Sequence, residues 1–200
     1  MKHLTLLVSL LLLATVATAA ENPVDKGSFI LEGSAFFMSQ GGDFYENLEG
    51  DGQTTIAFMP SLGYFVAPSI LIGAEFEFES WKWGDDWKEN YFAIGPVVGY
   101  YFNMDQARTE ARGAVYPFIK GFFMYGSSKI EILSVEETIG IMQFGGQAGV
   151  IFMLSNAVGL NFGGMFASTS FSPDEDLYPG AESVSGTTIM IGAGVTAFVY

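Results

Sequence analysis

Residues 70–79 of the chain read ILIGAEFEFE. Taken alternately, Ile70, Ile72, Ala74, Phe76 and Phe78 fall on one side, and Leu71, Gly73, Glu75, Glu77 and Glu79 on the other. A strand turns successive side chains to opposite faces, so here the three glutamates share a face. A helix, at about 100° per residue, spreads them over more than half its circumference. The stretch is therefore a strand with one apolar and one acidic face.

The same period recurs on both sides of it. Residues 29–38 set Phe29, Leu31, Gly33, Ala35 and Phe37 against Glu32 and Ser34. Residues 55–65 set Ile56, Phe58, Leu62 and Tyr64 against Thr55, Ala57, Ser61 and Gly63. Residues 117–125 set Ile119, Phe123 and Tyr125 against Lys120. Residues 143–154 set Phe144, Ala148, Val150, Phe152 and Leu154 against Gln143, Gln147 and Gly149. Residues 158–167 set Val158, Leu160, Phe162 and Phe166 against Asn161 and Gly163. Residues 91–102 and 188–200 are apolar on both faces, so periodicity does not assign their facing. Eight strands are expected, most of them near the 9–11 residues that cross a bilayer when tilted.

The connections alternate in length. SQGGDFYENLEGDGQ is a long polar loop, and Ala67-Pro68-Ser69 is a tight turn. A loop around KWGDDWKEN follows, then a medium segment from Asn103 to Ala114. Next come a long loop over Ser127 to Thr138, a tight turn at Ser155-Asn156 and a long acidic loop from Ser168 to Gly186. Short turns at one end and longer loops at the other are the wiring of an up-and-down transmembrane barrel. A bilayer leaves no partner for free backbone groups, so spanning strands must close. The expected fold is all-β, an eight-stranded antiparallel barrel over residues 21–200. A soluble ligand-binding barrel needs the reverse arrangement, with apolar residues inside. Pro60 and Pro96 fall inside presumed strands, where bulges or shifted boundaries are expected. Thr196, Gly194 and Gly192 are expected to weaken the outward row of the last strand.

Composition agrees. Half of the 200 residues are hydrophobic, 15% are charged and 25 are glycine, against about 25% charged in an average domain. No later stretch has 18 consecutive apolar residues, so no spanning helix is expected. Residues 1–20 read as an export signal: Lys2, an apolar run from Leu4 to Val16, then Ala17-Thr18-Ala19 before Glu21. Cleavage after Ala19 and after Ala20 fit equally. Removal leaves 7 bases against 22 acids, a balance that excludes nucleic acid as a partner, since phosphates need Lys and Arg. Cysteine is absent and His3 is the only histidine. The exported chain therefore has no imidazole base and no thiol for nucleophilic catalysis. No catalytic residues, cofactor or resident metal are expected.

The signal segment, the eight alternating segments and the aromatic ending GVTAFVY together resemble the small eight-stranded outer-membrane barrels typified by OmpA and OmpX. The resemblance covers about residues 27–200. It implies residence in the bacterial outer membrane, among lipid and lipopolysaccharide. It also implies that Phe198 and Tyr200 form the terminal signal read by the barrel-assembly machinery. Enzymes of this size class, lipid A deacylases and phospholipases, use a histidine that the exported chain lacks.

Three groups of residues are candidates for function. Glu32, Glu75, Glu77, Glu79, Lys120, Gln143, Gln147 and Asn161 point inward. Glu32, Glu75 and Lys120 lie at similar depths. The plain reading is a polar plug in which Lys120 satisfies one or two acids, because unpaired buried charge is costly. The sharper reading is a narrow cation-preferring path lined by carboxylates. The second group is Trp81, Trp83 and Trp87, read as an aromatic girdle at the outer interface or an exposed contact patch. The third is the acidic loops: Asp43, Glu46, Glu49 and Asp51; Asp85, Asp86 and Glu89; Glu131, Glu136 and Glu137; Asp174, Glu175, Asp176 and Glu182. Their plain role is a solvated, repulsive surface. The alternative is divalent cations, which take several oxygen ligands, though neither ENLEGDG nor SPDEDLY has EF-hand spacing. The function expected is a structural or surface-interaction role through these loops. The alternative is a small cation-preferring, porin-like channel.

Overall fold

The computed structural model describes residues 21–40, 53–83, 87–103, 110–132, 135–172 and 184–200. Eight strands run β1 (Phe29–Gln40), β2 (Gln53–Ala67), β3 (Ile70–Trp83), β4 (Trp87–Tyr101), β5 (Val115–Ile132), β6 (Val135–Met153), β7 (Val158–Ser172) and β8 (Val184–Val199). Each pairs antiparallel with its sequence neighbours, and β1 pairs with β8 to close the barrel. Paired residues can be followed around the wall from Phe198 through Ile30, Gly63, Gly73, Val97, Phe122, Gly145 and Ala167. The circuit returns to β8 at Thr188, ten residues from its start. Such a stagger tilts the strands by about 40° and leaves a bore that side chains can fill.

The facing follows the alternation. Leu31, Ile56, Phe58, Leu62, Ile72, Phe78, Ile119, Phe123, Phe144, Phe162 and Phe166 are exposed on the outer wall. Glu32, Thr55, Ser61, Glu75, Glu77, Lys120 and Gln143 are buried inside it. In β4 the inner row is Tyr91, Ala93, Val97 and Tyr101, and the outer row Phe92, Ile94, Val98 and Tyr100. In β8, Thr196 and Phe198 are buried while Ile189, Ile191, Val195 and Val199 are exposed. Thr196, Gly194 and Gly192 therefore stand on the inner row, and the outward row of the last strand is apolar from Ile189 to Val199, contrary to the sequence expectation.

Two other expectations are corrected. Pro60 and Pro96 cause neither a bulge nor a boundary. Pro60 pairs with Gly33 and Pro96 with Ala74 on one side. On the other side pairing lapses beside each proline and resumes in the same register. The missing N–H is absorbed as a gap in one ladder. The one register shift between β2 and β3 lies instead between Phe65 and Ala67, at the tight turn. The loops at the far end are also shorter than expected. Most of the presumed long loop Ser127 to Thr138 is strand, with Lys129 opposite Thr138 and Glu131 opposite Glu136. There Ser127, Lys129 and Glu131 are exposed while Ser128 and Ile130 line the lumen, the reverse of the apolar-out pattern, so the sequence reads as loop.

The tight-turn end is closed by side chains. Ile30, Phe65, Leu71, Tyr101, Tyr116, Phe118, Ile151, Met153 and Phe198 form one buried cluster across the bore, joined by Val24 from the segment that precedes β1. That segment is tied underneath: Gly27 N–H donates to Phe65 O at 2.9 Å, and Ser69 N–H to Val24 O at 2.8 Å. Ser69 sits at φ 67° in the turn, the left-handed region that a short hydroxyl residue tolerates better than a branched one. Gly63 and Gly73 face each other inside the wall; a Cβ on Gly73 would overlap the Leu62 carbonyl.

Candidate functional site: the barrel lumen

Above the apolar floor two polar contacts span the bore. β1 and β5 stand on opposite sides of the barrel, and Lys120 on β5 donates to Glu32 on β1 as a buried ion pair. Glu32 also accepts from Ser61 Oγ at 3.1 Å, from Tyr101 OH at 3.3 Å and, at 3.5 Å, from Thr196 Oγ1. Asn161 Nδ2 donates to Thr196 Oγ1 at 2.9 Å and fixes that hydroxyl. Lys120 Nζ lies 4.8 Å over the Phe118 ring, the upper surface of the floor. A buried pair holds only when its remaining lone pairs and protons are met, and around Glu32 they are met.

The second contact links β3 to β6. Gln147 Nε2 donates to Glu75 Oε1. Glu75 Oε2 is buried with no hydrogen-bond partner, as is Gln143 Oε1, whose amide donates to Thr169 Oγ1 at 3.3 Å. Tyr91 OH donates to Glu77 Oε2 at 3.1 Å, and Ser128 Oγ to Glu89 Oε1 at 2.5 Å. These groups line a cavity of about 890 Å³ that starts on the Glu32–Lys120 pair and opens at the far end beside Trp81 and Glu89. Its walls also hold Glu79, Met59, Met165, Met190, Ile130 and Ile139. Lys120 is the only base among its lining residues.

The sequence-expected residues sort as follows. Glu32, Lys120 and Asn161 meet in one network, and Glu75, Glu77, Glu79, Gln143 and Gln147 line the cavity above it. Trp81, Trp83 and Trp87 lie on strands rather than in a loop, with Trp83 paired to Trp87. Trp81 lines the cavity mouth, so its indole is turned to the lumen and not to a lipid-facing girdle. Phe198 is buried in the floor, and Tyr200 OH donates to Asn156 O at 2.9 Å, tying the chain end to the β6–β7 turn. Glu89, expected in a loop, is on β4 at the mouth. Asp43, Glu46, Glu49, Asp51, Asp85, Asp86, Asp174, Glu175, Asp176 and Glu182 lie outside the described residues. Among the described residues no cluster of three carboxylates is close enough to hold a metal ion.

Sequence reading missed Tyr91, Tyr101, Thr196 and the methionines. The two tyrosines lie on β4, whose two faces are equally apolar, so no alternation marked them as inward. Their hydroxyls were the one available signal, since a buried Tyr needs a partner.

No protein-family model matches the chain, and no curated protein matches it in sequence. Solved structures do match in shape. Neisserial surface protein A (NspA) superposes with a TM-score of 0.55 at 13% identity, over 86% of this chain and 97% of that one. OprG from Pseudomonas aeruginosa gives 0.48 at 13% identity over 88% and 98%, and the N-terminal β-barrel domain of OprF from the same organism 0.46 at 12% over 86% and 96%. The likeness is one of fold, and the chain has the fold of the small eight-stranded outer-membrane barrels.

Proposed function

We propose that the protein is an integral barrel of the bacterial outer membrane that acts at its outer end and does not conduct solutes. The apolar floor carries this reading. Tyr101, Phe65, Leu71 and Ile151 are fully buried across the bore, and the Glu32–Lys120 pair lies directly on them. A carboxylate-lined path along Glu75, Glu77 and Glu79 runs into that floor. The outward apolar belt supports membrane residence, because lipid solvates such a surface and water does not. The β5–β6 hairpin extends its strands past the belt with Glu131 opposite Glu136, an acidic projection suited to cation-bridged contact with lipopolysaccharide phosphates. In this reading Phe198 and Tyr200 serve the barrel-assembly machinery, and residues 1–20 direct export.

The test is conductance of the refolded protein, residues 21–200, in a planar bilayer, after a heat-modifiable gel band shows that the barrel has formed. Silence is the expected result. Reproducible cation-selective steps overturn the reading and make the glutamate file the conducting path.

A further inference from the structure

The cavity above the floor has two chemically different sides. β3 and β4 bring Glu75, Glu77, Glu79 and Glu89 to one side. β7 and β8 stand opposite them in the strand order and bring Met165, Met190 and bare backbone at Gly163 and Gly164. Glu75 Oε2 and Gln143 Oε1 are buried and have no partner, and both residues line this space. Both are acceptors. An unmet buried acceptor is costly, and four carboxylates beyond the Glu32–Lys120 pair have no base among the lining residues. What the acidic side lacks is a positively charged hydrogen-bond donor.

The wall itself is incomplete on the methionine side. The β1–β8 ladder stops at Ser34 and Gly194, although β1 continues to Gln40 and β8 begins at Val184. Beyond that point Ile189 and Ile191 are 75% and 91% exposed, more than any other large apolar side chain among the described residues, and a Cβ on Gly192 would meet nothing. Gly33 and Ala35 of β1 and Ile189, Ile191 and Ala193 of β8 all border the cavity, although they belong to the outer rows of their strands. The cavity therefore reaches the outer surface between β1 and β8, level with lipid-facing Phe166, which pairs with Ile189. Free backbone at membrane depth is tolerated where it lines a cavity, and here it does.

We propose that the lumen is a binding site for a primary ammonium carried on an apolar chain. The ammonium, with three donors and no acceptor, seats against Glu75, Glu77 and Gln143. The chain lies along Met165 and Met190 and leaves through the β1–β8 opening into the apolar phase. The site rests on the reading of the protein as a membrane barrel but not on the absence of conductance, which is measured separately and without amine.

The experiment is calorimetric titration of the protein in lipid nanodiscs with octylammonium chloride, with empty nanodiscs subtracted. A saturable single-site heat is expected. Methylammonium, which lacks the chain, and octyltrimethylammonium, which lacks the donors, should each bind at least tenfold more weakly. Glu75→Gln should weaken octylammonium at least tenfold, with the heat-modifiable band unchanged. Met190→Gln, on the opposite side, should weaken octylammonium and leave methylammonium unaltered, which keeps the test sound if the first variant fails to fold. Glu110→Gln, exposed at the tight-turn end and away from the cavity, should change nothing. Heats no larger than those of empty discs, equal binding by Glu75→Gln, or methylammonium binding as tightly as octylammonium would each overturn the proposal, the last reducing the site to a small-cation trap.

Discussion

The two halves of the lumen are made by the same eight strands and have opposite characters. In the tight-turn half, aromatic and aliphatic side chains fill the bore, and Glu32, paired with Lys120, also accepts from Ser61, Tyr101 and Thr196. In the outer half, carboxylates line open space, three buried side-chain oxygens, on Thr55, Glu75 and Gln143, lack partners, and the wall parts between β1 and β8. Buried apolar packing closes the first half and only lines the second. The second retains groups that a purely structural interior would have paired or replaced, which is where a site belongs.

Four sets of substitutions test the contrast between the two halves. The largest effect is expected from Lys120→Met, which leaves Glu32 charged and buried in the floor layer. Such a change costs about 3–5 kcal/mol, read as a lowered urea midpoint of the heat-modifiable band, and adding Glu32→Gln should return most of it. A smaller loss, about 1.5–3 kcal/mol, is expected from Tyr101→Phe, which removes a hydrogen bond to a charged group without changing the packing. Glu75→Gln should change stability by less than about 1 kcal/mol, because it removes an unmet acceptor and keeps the oxygen that Gln147 bonds. A loss as large as that of Lys120→Met would show the halves to be energetically alike. The last test is geometric, in a chain with no native cysteine. Gly33→Cys with Val195→Cys, at a paired position, should cross-link readily under mild oxidation. Ala35→Cys with Ala193→Cys, one pleat further along the same register, should not, because disulfides need Cα atoms within about 7 Å. Equal cross-linking would close the lateral opening and remove the exit proposed for the apolar chain.

Much of this was legible in the sequence. The strand at 70–79, its seven companions, the inward glutamates, Lys120 and the tight turns at Pro68 and Asn156 all follow from period-two alternation and turn chemistry. The outer surface and the lumen act on each residue separately, so each residue records which side it faces. The record fails where both sides are apolar. β4 and β8 have apolar inner rows because one lines the floor and upper lumen and the other ends in the floor at Phe198, so their facing waited on the register with β3, β5, β7 and β1. The β5–β6 hairpin also escaped, because there the polar residues Lys129 and Glu131 face outward and Ile130 faces the lumen, the reverse of the pattern elsewhere.

Local residue pattern sets the number of strands, their facing wherever one side is polar, and the excess of acid inside. Which carboxylate takes Lys120 is set by the closed fold. Glu32 and Lys120 are 88 residues apart and meet because the stagger of the closed barrel sets them at one level across the bore. The closed fold also decides that the bore has a floor, and that the β1–β8 ladder ends early. Both depend on where the first and last strands meet, and no local pattern encodes the closing of a ring.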